Sequence, residues 1–234
     1  MTTFIQGFKE AILLIWSLDP TLLEIINHTL QVTLWSLLFA SVLGVPLGAM
    51  LGLTSFRGKG FVTTIIHTAM GLPPVFVGLL VYLLLSNRGV LGDLDWLFTR
   101  QGIVVAQTII GFPIVMGLTM SSIQQVNHQY KTELLALGVN PFQLVLTMIQ
   151  EAQKGIFVAI ASGFGRIIAE VGAVMLVGGN IEGKTRVLTT AIVLETRQGR
   201  FDLALALGII LLGIAFCLHL VISGIQGRVA TTLQ

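Results

Sequence analysis

Four stretches of this chain, 32–53, 61–85, 102–123 and 203–222, each run for about twenty residues or more without an Asp, Glu, Lys or Arg. Crossing a hydrocarbon core about 30 Å thick takes roughly 20 apolar residues in a helix, and lipid leaves every backbone polar group to be satisfied internally. A fifth stretch, 155–179, has the length but carries Arg166 and Glu170. Closed barrels instead show alternating strands of about ten residues. The expectation is an all-α integral membrane protein with five transmembrane helices, its chain ends on opposite sides of the membrane.

Composition agrees. Of 234 residues, 54% are hydrophobic and only 10% charged, with a mean hydropathy of +0.91. Soluble domains carry about 25% charged residues, so this chain has too little charge to cover a water-facing surface. A soluble enzyme, a nucleic-acid binder and a disordered protein are excluded on that ground. The net charge of +2 gives no reason to expect a polyanion partner. The single cysteine, Cys217, excludes a disulfide framework and a multi-cysteine metal site.

In segment 1–24, Phe4, Ile5, Phe8, Ile12 and Ile15 recur at helical spacing opposite Gln6, Lys9 and Glu10, the pattern of an interfacial amphipathic helix. The Asp19-Pro20 pair is expected to break that helix before the first crossing. Inside the crossings stand Gly44, Pro46, Gly48, Pro73, Pro74, Gly111 and Pro113. Close helix packing is the first reading of these residues, and hinged helices lining a pathway the alternative.

Two loops are long. In the first, 124–154, Lys131 to Leu137 reads as a helix start that Gly138 closes. Val139-Asn140-Pro141 then turns into a second amphipathic piece from Phe142 to Gln153. Such a helix-turn-helix exceeds what a connector needs and would suit docking to a soluble partner, or else lie on the headgroups. The second loop, 180–202, is preceded by Gly178-Gly179 and satisfies G-x-x-x-x-G-K-[ST] in full through Gly183, Lys184 and Thr185. A working phosphate-binding loop needs a parallel sheet behind it and an acidic residue on an apolar strand for magnesium. Neither is in prospect, so the match is taken as false. The glycines end the fourth helix, with Asn180 tolerating left-handed geometry.

Arg166 and Glu170 stand four apart and are expected to share one face of the fourth helix, where they would pair. Charge at bilayer depth costs a few kcal/mol, so both should face protein or water, as a gate element or a packing clamp. His67 and His219 have no second ligand at metal spacing, and no metal site is expected. No G-x-S-x-G motif frames a nucleophile.

Thr132-Glu133-Leu134-Leu135-Ala136-Leu137-Gly138, with Val139-Asn140-Pro141-Phe142 after it, resembles the EAA loop of type I importer permeases of the ABC transporter class. Aligned on Gly138, Thr132 occupies the family's Glu position and Glu133 falls one residue late. Met148-Ile149-Gln150-Glu151 replaces the family's I-x-L-P. Arg166 to Ala173, Gly179 to Thr185 and Leu72 to Leu79 resemble the oxyanion branch, which imports molybdate, tungstate and sulfate. The length, the EAA departures and Glu151-Ala152 look most like tungstate-specific permeases. The similarity spans 25–222, leaving the tail 223–234.

The resemblance implies a type I importer permease in the cytoplasmic membrane of a bacterium or archaeon. Two copies would pair, two separate ATPase subunits would bind the ATP, and an extracytoplasmic binding protein would deliver the anion. No cofactor is expected on this chain. Thr132, Glu133, Leu134, Leu135, Gly138, Asn140, Pro141 and Phe142 would seat in the ATPase. Arg166, Glu170, Gly179, Asn180, Lys184, Thr185 and Arg186 would be pathway or gate candidates. Charge bias points the other way. A cytoplasmic coupling loop leaves Arg57, Lys59, Lys131, Lys154 and Arg228 inside, against Lys9, Arg88, Arg100, Lys184, Arg186, Arg197 and Arg200 outside. A permease for another small solute is the alternative. A secondary transporter fits less well, because it would want several intramembrane acids or an inverted repeat.

Overall fold

The computed structural model describes residues 9, 12, 13, 15–17, 19–126, 132, 134 and 136–231, the last eleven as backbone only. The described elements are α1 (Pro20–Leu53), α2 (Lys59–Met70), α3 (Pro74–Leu85), a 3-10 turn (Gly92–Leu94), α4 (Arg100–Gln125), α5 (Pro141–Glu151), α6 (Gln153–Ile168), α7 (Gly172–Gly178), α8 (Leu188–Arg197) and α9 (Phe201–Thr231). No strand occurs among the described residues. Three helices, α1, α4 and α9, are each long and apolar enough to cross a membrane. The number rises to five if the bent pairs α2–α3 and α5–α6 each count as one span.

Several boundaries differ from the sequence reading. The first crossing starts at Pro20, not at residue 32, because Asp19 acts as a cap. Its Oδ1 accepts the Leu22 N–H at 2.9 Å with Pro20 at the first helical position, where its missing N–H costs nothing. Of the amphipathic segment before it, Phe4, Ile5, Gln6, Phe8 and Glu10 lie outside the described residues, while Lys9, Ile12 and Ile15 are helical and exposed. The stretch 61–85 is not one helix. It bends by 95° between α2 and α3, where Leu72 precedes Pro73 and two consecutive prolines lack donors. Pro46 and Pro113, by contrast, sit inside unbroken helices. The stretch 155–179 also breaks, at 169–171. The loop expected at 180–202 contains α8, a ten-residue helix with Leu188, Thr189, Thr190, Ala191 and Glu195 buried. At about 15 Å it is too short to span a bilayer. The tail expected from 223 continues α9 to Thr231.

The described residues fall into two compact units. The first takes its residues from Met1–Ser36, Pro73–Gln107 and Ile167–Leu220. In its core Leu22 and Ile25 of α1 meet Leu188 and Ala191 of α8 and Ala206, Leu207 and Ile210 of α9. A second cluster joins Val32, Ile103, Val174 and Val187. Helices α3 and α7 pack at backbone distance, since a Cβ on Gly78 would stand 2.6 Å from the Ala173 Cα.

The second unit draws on Leu37–Leu72, Thr108–Arg166 and Val221–Gln234. Its core joins Ala49, Ile123, Leu144, Met148, Ala152 and Ile156. Gly44, Gly48 and Gly52 recur every four residues along α1 and form the seam against α4. A Cβ on Gly48 would lie 2.4 Å from the Met116 carbonyl oxygen. Small residues at this spacing let membrane helices approach closely enough for dispersion forces to hold them. For Gly44 and Gly48 the packing reading is therefore the structural one.

Candidate functional site

The candidate coupling loop is built by two caps in series. Thr132, Leu134 and Ala136 are helical, and Gly138 ends the turn with φ +76. The Val139 N–H reaches back to the Leu134 carbonyl at 3.4 Å, the six-to-one bond of a helix end closed by a left-handed glycine. Leu134 and Val139 both pack on the second unit's core. The next helix starts two residues later. Asn140 Oδ1 accepts the Gln143 N–H at 2.8 Å, Gln143 Oε1 accepts the Asn140 N–H at 3.0 Å, and Pro141 takes the first helical position. This reciprocal box satisfies two of the donors that a helix start leaves orphaned.

Helix α5 then divides its apolar residues between two tasks. Leu144 and Met148 are buried in the core, while Phe142 is 71% exposed and, before the turn, Leu137 is 80% exposed. The two large apolar side chains thus flank the capped turn on its exposed side. Glu133 and Leu135 lie outside the described residues.

The second candidate region surrounds the break between α6 and α7. Helix α6 ends at Ile168, so Glu170 stands outside the helix that carries Arg166, and the expected i,i+4 pair on one helical face does not form. Glu170, only 6% exposed, is used for backbone repair instead. Its Oε1 accepts the Ala173 N–H at 2.9 Å, and its carbonyl accepts the Thr189 hydroxyl of α8 at 3.0 Å. The freed Ile167 carbonyl accepts both the Glu170 N–H at 3.2 Å and Nε2 of Gln107 at 3.4 Å. The Gln107 Oε1 in turn accepts the Ser36 hydroxyl at 3.0 Å. A break in a membrane-embedded helix persists only where such groups supply the missing bonds. Gln107, Ser36 and Thr189 went unnoticed in the sequence because a lone polar residue in an apolar run gives no sign of which distant carbonyl it will meet.

The loop after α7 is a closed knot. Gly179 and Asn180 have φ +71 and +51, as expected of the residues that end this helix, and Gly183 has φ +71. The Ile181 carbonyl accepts the N–H groups of Lys184, Thr185 and Arg186. The fully buried Thr185 hydroxyl donates to the Gly178 carbonyl at 2.6 Å and accepts the Ile181 N–H at 2.9 Å. A phosphate-binding threonine needs that oxygen free for magnesium, so the G-x-x-x-x-G-K-T match is a turn held by its own threonine. Arg186 pairs with Glu182 at 3.1 Å. Lys184 is exposed, with no side-chain partner among the described residues.

Residues 44–231 match the family described as binding-protein-dependent transport system inner membrane component. The chain is 40% identical over 216 residues to the tungstate uptake system permease protein TupB of Campylobacter jejuni, covering 92% of this chain and 90% of that one. With the protein of the same name from Peptoclostridium acidaminophilum it shares 36% identity over 221 residues, 94% of this chain and 97% of the relative. Its fold is similar to a chain in a bacterial alginate ABC transporter solved with a periplasmic protein. There the TM-score is 0.73 at 21% identity, over 88% of this chain and 78% of that one. The capped helix-turn-helix, the repaired break and the apolar helices thus stand in a chain that belongs to the family of binding-protein-dependent transport system inner membrane components, as a multi-pass permease subunit and not an ATPase.

Proposed function

We propose that this chain is the permease through which an ABC importer brings tungstate across the cytoplasmic membrane. The observation that carries the substrate is the 36–40% identity, over more than nine-tenths of the chain, with two tungstate uptake permeases. In this reading two copies pair, two ATPase subunits bind and hydrolyse ATP, and a binding protein delivers the anion from outside. The turn at Gly138 to Phe142 seats in the ATPase, with Leu137 and Phe142 as its apolar contacts. Their exposure on a doubly capped loop supports that role. ATP-driven closure then rocks rigid helices between inward- and outward-facing states.

Lys184 is the basic side chain of the 180–186 loop left to meet an incoming dianion, because Arg186 is engaged with Glu182. Reconstitution with the ATPase and binding protein, measuring ATP hydrolysis with tungstate, molybdate and sulfate in turn, tests the whole reading. Tungstate is expected to stimulate most. Equal stimulation by all three anions removes the tungstate assignment, and failure to assemble with any ATPase removes the importer itself. Neutralising Lys184 is expected to slow tungstate uptake, and unchanged uptake would take that residue out of the anion's path.

A further inference from the structure

The connection from α3 to α4 holds a cleft of about 470 Å³ with a charge at each of two points on its wall, Arg88 and Asp95, beside Ser86, Asn87, Tyr82 and Phe98. A volume in the range of about 300 to 1,000 Å³ is typical of small-molecule sites. Neither Arg88 nor Asp95 has a side-chain hydrogen bond or ion pair among the described residues. The wall is rigid. The Leu91 N–H bonds the Leu84 carbonyl at 2.9 Å, the Gly89 N–H the Ser86 carbonyl at 2.7 Å, and the Phe98 N–H the Val177 carbonyl at 2.9 Å. Gly89 is obligatory to that fold-back, since a Cβ there would lie 2.2 Å from the Leu83 carbonyl oxygen. Asp95 and Phe98 hold left-handed conformations at φ +52 and +59, and strain of this kind in non-glycine residues gathers at ligand clamps. The Tyr82 and Phe98 rings close one side edge to face, centroids 6.2 Å apart.

The surroundings identify the medium. The connection joins the end of one apolar helix to the start of α4, which is long and apolar enough to cross a membrane, and a connection at the end of such a helix falls in the interfacial layer. Around the cleft it exposes Val90 (88%), Leu91, Leu94 and Trp96, and the exposed Leu83 and Leu84 continue this apolar band down α3. A tryptophan with an aliphatic fringe at a helix end belongs to the headgroup layer.

We propose that this cleft binds the headgroup of a zwitterionic phospholipid with a primary ammonium, of the phosphatidylethanolamine type. Arg88 takes the phosphate, Asp95 takes the ammonium, and the acyl chains run along the exposed apolar side chains of α3. Guanidinium suits phosphate oxygens through paired donors. A carboxylate lining the same cleft repels a purely anionic headgroup and rewards an ammonium that can donate hydrogen bonds, which a trimethylated one cannot. The inference does not depend on which anion is transported.

The test is native mass spectrometry of the full chain in detergent, titrated with short-chain phosphatidylethanolamine, its mono- and dimethylated forms, phosphatidylcholine and phosphatidylglycerol. Phosphatidylethanolamine is expected to bind about tenfold more tightly than phosphatidylcholine or phosphatidylglycerol, with stepwise loss on methylation. Asp95→Asn keeps a residue that tolerates left-handed geometry and is expected to erase the preference over phosphatidylglycerol. Arg88→Gln is expected to weaken all phospholipids at this site. The headgroup series on the unaltered chain needs no variant to fold. Equal binding of every headgroup would overturn the proposal. So would protection of Arg88 and Asp95 from chemical labelling by a binding protein or a second copy with no headgroup preference.

Discussion

The Thr189 hydroxyl donates to the Glu170 carbonyl at 3.0 Å, tying α8 to the break between α6 and α7. That carbonyl is beyond the end of α6 on the buried Glu170, so the threonine stands in for a missing helical donor. Thr189→Val preserves shape and removes the donor. It is expected to cost about 1 kcal/mol, the usual scale for a buried hydrogen bond in a membrane protein. Thr189→Ser should recover most of the loss. Thermal unfolding in detergent checks both, and a Thr189→Val protein as stable as the parent would mean that the break is held without α8.

Glycine substitutions along α1 and α2 should rank by what a Cβ would meet. At Gly48 it meets the Met116 backbone carbonyl at 2.4 Å, which cannot swing away. Gly48→Ala must push α1 and α4 apart and is expected to cost about 1–3 kcal/mol. At Gly52 it meets Cγ2 of Ile123 at 2.8 Å and its Cβ at 2.9 Å, with the Met120 carbonyl oxygen at 3.1 Å; the helices must still shift, but by less than at Gly48, so the cost should be smaller. Gly60 in α2 has nothing within 4 Å, and Gly60→Ala should stabilise by up to about 1 kcal/mol through helix propensity. Denaturation midpoints of the three variants test the order.

What could be read from the residues alone divides along a physical line. Long uncharged runs announced the membrane and the places of α1, α4 and α9, because lipid imposes length and apolarity on any crossing. The Gly138 closure and the Asn140-Pro141 start were equally legible, since caps are made by neighbours in sequence. The break at 169–171 was hidden because its repair comes from Gln107 and Thr189, which are distant in the chain. Helix α8 shows in the sequence only as a helix-like stretch, 187–194, inside the second long loop, because its burial depends on Leu22 and Leu207 and its own composition is mixed. The break at Asp19-Pro20 before the first crossing was legible for the same reason as the other caps: the helical residues before it give way to a turn at Ser17, Asp19 is non-helical, and the same pair caps and starts α1.

Thr185 gives a sharp test of the phosphate-loop resemblance. Its oxygen is spent on Gly178 and Ile181, and Thr185→Val would orphan both groups in a buried turn. The expected loss is about 1–3 kcal/mol of stability. The chain purified alone is expected not to be labelled by a photoreactive ATP analogue, with or without Lys184→Ala. Labelling that disappears with Lys184→Ala would show that the knot opens to hold nucleotide.

Phe142 and Leu144 stand two residues apart on α5 and should fail in opposite ways. Phe142 is 71% exposed, whereas Leu144 is buried against the core that includes Met148 and Ile123. Phe142→Ala removes apolar surface from a side chain that packs on little of its own chain. Stability should hold within about 0.5 kcal/mol, while ATP hydrolysis in the assembled importer loses its dependence on delivered anion. Leu144→Ala leaves a cavity beneath the loop and should cost about 2–5 kcal/mol, lowering the amount of folded protein. Measuring the melting midpoint and anion-stimulated ATP hydrolysis on the same preparations separates the two. If Phe142→Ala unfolds the chain, its exposure is not that of a docking residue; if it leaves stimulation intact, the ATPase is seated elsewhere.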